Sequence, residues 1–155
     1  MKSLHALVAG IAGALVMSGA MFLLRQSGID VSFEALLGSM FATSLSPWVT
    51  GFLIHLVVGA VMGFVYAFAF ETVQKSGVMM GGGLGLAHGL MAGLFMSGLP
   101  AMNPIAPNGS APGPFLNHLF LGPLVFLLLH LLYGAVVGLV YGAPVHKPHL
   151  LPRHP

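Results

Sequence analysis

Four stretches of roughly 20 residues, about 4–24, 47–70, 77–98 and 123–142, are predominantly apolar and carry no Asp, Glu, Lys or Arg in their interiors. A helix rises 1.5 Å per residue, so about 20 such residues cross the ~30 Å hydrocarbon core of a bilayer. Inside lipid every backbone N–H and C=O has to be satisfied within the segment, which makes these stretches helices. Composition agrees: the 155 residues are 57% hydrophobic and only 5% charged, where a soluble domain carries about 25% charged residues. A soluble enzyme and a disordered polymer are excluded on that ground. A net charge of +2 is also too small to grip a phosphate backbone, so no nucleic-acid partner is expected. The absence of Cys removes disulfides, thiolate chemistry and iron–sulfur ligation.

Boundaries and flanking charges orient the spans. Ser46 followed by Pro47 reads as a helix cap and first turn; Pro123 opens the fourth span, and Trp48 and Tyr141 fall where interfacial aromatics belong. Ser18-Gly19-Ala20 after an apolar run imitates a signal-peptide end, but this segment has a counterpart downstream and is expected to stay. Lys2, Lys75, Lys147 and Arg153 fall on one side and Arg25 alone on the other, which puts both termini in the cytoplasm. Of the two outward loops, 25–46 carries Asp30 and Glu34 before an apolar run, Phe33–Ala42, expected to form an interfacial helix. The loop 99–117 has five prolines and an incidental Asn108-Gly-Ser110 sequon. The tail 146–155 is Pro- and His-rich and expected to be disordered.

An internal duplication accounts for the counterpart. The run His55-Leu-Val-Val-Gly59-Ala-Val-Met-Gly63-Phe-Val-Tyr66 matches His130-Leu-Leu-Tyr-Gly134-Ala-Val-Val-Gly138-Leu-Val-Tyr141 at eight of twelve positions, offset by 75. Spans one and three match at an offset of 79, placing Met17-Ser18-Gly19 on Met96-Ser97-Gly98 and Gly10 on Gly89. The expected architecture is all-α: a four-transmembrane-helix bundle of two parallel two-helix repeats, about 1–72 and 77–145, related by an axis along the membrane normal. Small residues recur every fourth position: Ala6, Gly10, Ala14 and Ser18; Gly59, Gly63 and Ala67; Gly81, Gly85, Gly89, Gly93 and Ser97; Gly134, Gly138 and Gly142. Residues spaced by four form one ridge, and such small-xxx-small ridges let helix backbones approach closely in lipid.

His55 and His130 head two of these ridges, and ionisable residues inside a membrane are candidates for function. Three roles remain open for them. They can be interhelical glue, His55 to Ser18 and His130 to Ser97. With Met17 and Met96 they can ligate copper, since Cu(I) selects soft ligands, or bind a haem iron. They can also line a proton or solute pathway. His88 has no partner in span one and is expected to be hydrogen-bonded in place. Asp30, Glu34 and Glu71 sit in loops or at helix ends and are expected to be solvated charges. His118 is expected at the interface, and His146, His149 and His154 in the solvated tail.

The motifs Val16-Met17-Ser18, Trp48 ahead of His55, and His130-Leu-Leu-Tyr133-Gly134-Ala-Val-Val-Gly138-Leu-Val-Tyr141-Gly142 together resemble a family of small four-span bacterial inner-membrane proteins known only as a domain of unknown function. The resemblance covers nearly all four spans; the Pro-rich outer loop and the His-rich tail depart from it. It implies a multi-pass inner-membrane protein and supplies no activity or cofactor. The expectation is a non-enzymatic structural, accessory or interaction module in the lipid bilayer, with a membrane-protein partner or as a homo-oligomer. The alternatives are a copper- or haem-binding protein using His55 and His130, and a small oligomeric transporter or channel.

Overall fold

The cap at Ser46 starts the longest helix. Its side chain accepts a hydrogen bond from the Val49 N–H at 3.4 Å, with Pro47 at the first helical position. The computed structural model describes residues 1–29, 31, 33–41, 43–97 and 121–145, apart from the side chains of Met96, Ser97 and Leu121. Among them are five helices and no strand: α1 (Ser3–Gln26), α2 (Phe33–Ser39), α3 (Pro47–Val73), α4 (Val78–Ser97) and α5 (Leu121–Tyr141). All but α2 are long and apolar enough to cross a membrane. The loop 99–117, His118 and the tail lie outside the described residues.

The four long helices form a bundle with one loose side. α1 packs along α3 on one side and α5 on the other, and α5 packs along α4. α3 and α4 meet only lightly, which leaves a seam, while α2 lies against α3.

Backbone touches backbone within two of these pairs. In the first, a Cβ on Gly10 would run into the Gly59 carbonyl, and one on Gly63 into the Ala6 carbonyl. In the second, Gly81 and Gly134 face each other's carbonyls, Gly85 faces that of His130, and Gly138 that of Gly77. Lipid tails supply no hydrophobic drive for helix association, so contact of this kind supplies it through van der Waals packing. Gly77 also makes the tight turn between α3 and α4, with φ +98°.

The two pairs meet in one register, which differs from the sequence match. Gly59 and Gly63 of α3 correspond to Gly134 and Gly138 of α5. On their partners, however, Ala6 and Gly10 take the places of Gly77 and Gly81, an offset of 71 rather than 79. Ser18 therefore corresponds in space to Gly89, two helical turns from the Ser97 that the sequence match selects.

Larger side chains fill the space between the pairs. Gly13 of α1 lies under the Tyr133 ring, and Tyr66 and Tyr133 meet edge-to-face with centroids 5.6 Å apart. At the end where the N-terminus, the α3 C-terminus and the α5 C-terminus gather, Lys2 Nζ donates to the Ala143 carbonyl at 2.7 Å. There the Tyr141 hydroxyl donates to Glu71, and the Val145 N–H reaches the same carboxylate at 3.1 Å. Glu71, expected as a solvated charge, ties α3 to α5.

Adding bulk at the contacts tests this register. Gly63→Leu and Gly134→Leu should each lower the unfolding midpoint in detergent, since overpacking costs about 1–3 kcal/mol or more. Gly19, where an added methyl would meet nothing within 4 Å, should tolerate Ala and gain roughly 0.5–1 kcal/mol of helix stability. Equal midpoints for all three variants would refute the contact map.

Candidate functional site

Polar side chains line up at the end opposite Glu71. Arg25, in the last turn of α1, donates to the Val31 carbonyl at 3.0 Å and lies 3.6 Å from Glu34 Oε2. Its guanidinium also stacks 4.5 Å from the Trp48 ring centroid, a cation–π contact. Glu34 belongs to α2 and is 4% exposed. Its other oxygen, Oε1, is 3.8 Å from His55 Nδ1 and has no hydrogen-bond partner among the described residues. His55 Nδ1 is 3.0 Å from Ser18 Oγ. The result is a string, Arg25–Glu34–His55–Ser18, leading from the rim into the bundle.

The burial of Glu34 corrects its reading as a solvated loop charge. The cause is the close docking of α2: a Cβ on Gly51 would strike the Glu34 carbonyl, and one on Gly38 the Pro47 carbonyl. α2 also ends at Ser39, short of the expected Ala42, and packs against α3. A signal was present in the sequence. Gly51 continues the His55, Gly59, Gly63 ridge by one turn, and Glu34 and Gly38 are spaced by four, so two small-residue faces were available to meet.

Burial pushes the Glu34 carboxyl up, but His55, Ser18 and Arg25 outweigh it and hold the group below the ordinary carboxylate range. An opposite charge and donors nearby favour the ionised form.

Below the string lies a cavity of about 180 Å³ between α3, α4 and α5, lined by His55, His88 and His130 with Met17, Phe33 and Tyr133 among its walls. Each imidazole is held through Nδ1: His55 by Ser18, His88 by the Tyr66 hydroxyl at 3.3 Å, and His130 by the Phe126 carbonyl at 2.9 Å. His88, expected to be hydrogen-bonded in place, also meets His130 edge-on with ring centroids 4.9 Å apart. Its partners come from α3 and α5, which a comparison with span one alone did not reach.

The remaining predicted site residues divide. His55 and Ser18 are brought together, and Met17 lines the same cavity. His130 instead bonds the carbonyl one turn earlier on its own helix, because the position facing it is Gly89, which has no side chain to donate. The Met96 and Ser97 side chains lie outside the described residues. Gly10, Ala14, Gly59, Gly63, Gly85, Gly89, Gly134 and Gly138 all lie at helix contacts, and Gly93 is buried in α4. Among the described residues, no three His, Asp or Glu side chains are grouped so as to hold a metal ion.

The charge on Glu34 makes α2 docking pH-dependent. A lowered carboxyl pKa contributes stability above the free value, about 4.3, and that contribution is lost as pH falls through the lower docked value. Emission from Trp48, the sole tryptophan, should stay constant down to about pH 4 and change below it. Glu34→Gln should abolish the transition; an unchanged transition in that variant would show that another group drives it.

No protein family, curated protein or solved structure matches this chain.

Proposed function

We propose that the protein is a non-enzymatic membrane module, a duplicated four-span bundle in a bacterial inner membrane with both termini cytoplasmic. It acts as a structural, accessory or interaction component, beside a membrane-protein partner or as a homo-oligomer. One observation carries the reading: four side-chain hydrogen bonds and ion pairs within the bundle join one element to another. Ser18 meets His55 between α1 and α3, and Tyr133 donates to the Gly59 carbonyl between α5 and α3 at 2.7 Å. Tyr66 meets His88 across the α3/α4 seam, and Arg25 meets Glu34 between α1 and α2. Such contacts are worth about 0.6–2 kcal/mol each in a bilayer, enough together with glycine packing to keep one arrangement of helices.

The orientation rests on the lysines and arginines, and the compartment on the resemblance of the spans. Copper or haem held by His55 and His130 is the competing reading. It requires His130 to offer its outward nitrogen to a metal shared with His55, whereas the imidazole that stacks edge-on against His130 is that of His88.

Elemental analysis and absorption spectroscopy separate the two. Detergent-purified protein should show no Soret band and no stoichiometric copper, while Ser18→Ala and Tyr133→Phe each lower stability by about 0.6–2 kcal/mol. One metal or haem per chain, lost in a His55→Ala/His130→Ala double variant, would overturn the module reading.

A further inference from the structure

We propose that the cavity between α3, α4 and α5 is a binding site for a small phenol drawn from the lipid phase, its hydroxyl held by His130 and His88. The proposal goes beyond the packing role and stands apart from it.

The hydrogen-bond chemistry of the two imidazoles is set by their Nδ1 partners. A carbonyl oxygen only accepts, so the contact of His130 with the Phe126 carbonyl places the proton on Nδ1. In the neutral ring Nε2 is then a bare acceptor. For His88 the partner is the Tyr66 hydroxyl. That hydroxyl is buried and has no other hydrogen-bond partner among the described residues, so donating to Nδ1 satisfies its proton. The remaining proton of His88 then sits on Nε2, a donor. Neither Nε2 has a partner among the described residues. With the rings 4.9 Å apart and both lining the cavity, the pair supplies it with one acceptor and one donor. A hydroxyl matches both, giving its proton to His130 and accepting from His88.

The rest of the cavity selects the body of the ligand. Phe33 and Phe126, 6.1 Å apart edge-to-face, line it together with Met17 and Met62. Aromatic walls favour an aromatic guest at edge-to-face or offset distances. An apolar cavity of about 150 Å³ is known to take benzene, so about 180 Å³ fits one six-membered ring and little more. Entry lies at the seam that α3 and α4 leave open. Val58 and Phe95 line the cavity while remaining 46% and 69% exposed, so it reaches the lipid-facing surface.

The test is equilibrium dialysis of labelled 4-methylphenol against the full chain in nanodiscs, with empty nanodiscs subtracted for partitioning. Saturable binding near one per chain is expected. 4-Methylanisole, which has no hydroxyl proton, should bind at least tenfold more weakly, and hexanol should also fall well below the phenol. His130→Phe and His88→Phe should each weaken phenol binding at least tenfold, and Gly19→Ala should leave it unchanged. Should a histidine variant fail to fold, ¹⁵N spectra of the native protein decide: the phenol should shift the unprotonated His130 Nε2 resonance and the anisole should not. Non-saturable uptake equal to empty discs, equal binding of anisole, or an unmoved His130 resonance would overturn the proposal. Equal binding of hexanol would overturn the choice of a phenol.

Discussion

Backbone contact between helices in a medium that does not push them together is the constraint on which the rest of this structure depends. Gly10, Gly59 and Gly63 in one pair, and Gly81, Gly85, Gly134 and Gly138 in the other, let main chains meet where any side chain would hold them apart. Dispersion grows only with close approach, so the register of each pair is the one that brings these glycines together. The two histidines His55 and His130 are placed by that register. His55 meets Ser18 because Gly59 lies against Gly10 and Ala14, and His130 meets Gly89 because Gly134 lies against Gly81 and Gly85.

That single difference, Ser18 in one pair and Gly89 in the other, changes the chemistry of two histidines that look alike. His55 has a hydroxyl on the neighbouring helix and a buried carboxylate beyond it. His130 has neither in front of it, turns its Nδ1 to the carbonyl of Phe126, and packs against that residue's ring with centroids 4.3 Å apart. The α1/α3 and α4/α5 pairs both pack through glycines and differ in their polar residues. The arrangement around them differs too: α1 packs on both α3 and α5, whereas α4 holds α5 and barely touches α3. The seam and the cavity under it follow from that asymmetry.

α2 shows how a charge is accommodated at such depth. A carboxylate moved out of water is costly unless paired, and Glu34 keeps Arg25 on one oxygen and the His55 ring near the other. Arg25 in turn stacks on Trp48 at the start of α3. Three elements are thereby tied at one end of the bundle, while Lys2, Glu71 and Tyr141 tie three chain segments at the other.

By itself the sequence determined that four helices are long and apolar enough to cross a membrane, because charge-free apolar stretches of about 20 residues match the thickness of a bilayer core. It also determined which faces meet, because glycines at a spacing of four share one side of a helix. Local patterns of this kind are legible in order along the chain. Register was not, since a run of small residues every four positions matches itself equally well one or two turns away, and identity between spans pointed to an offset that the contacts do not use. Nor was the burial of Glu34 or the meeting of His88 with His130, since both depend on elements far apart in sequence. Only the tertiary structure decided those, because close approach at a few glycines selects one register, and the register decides which polar groups face each other.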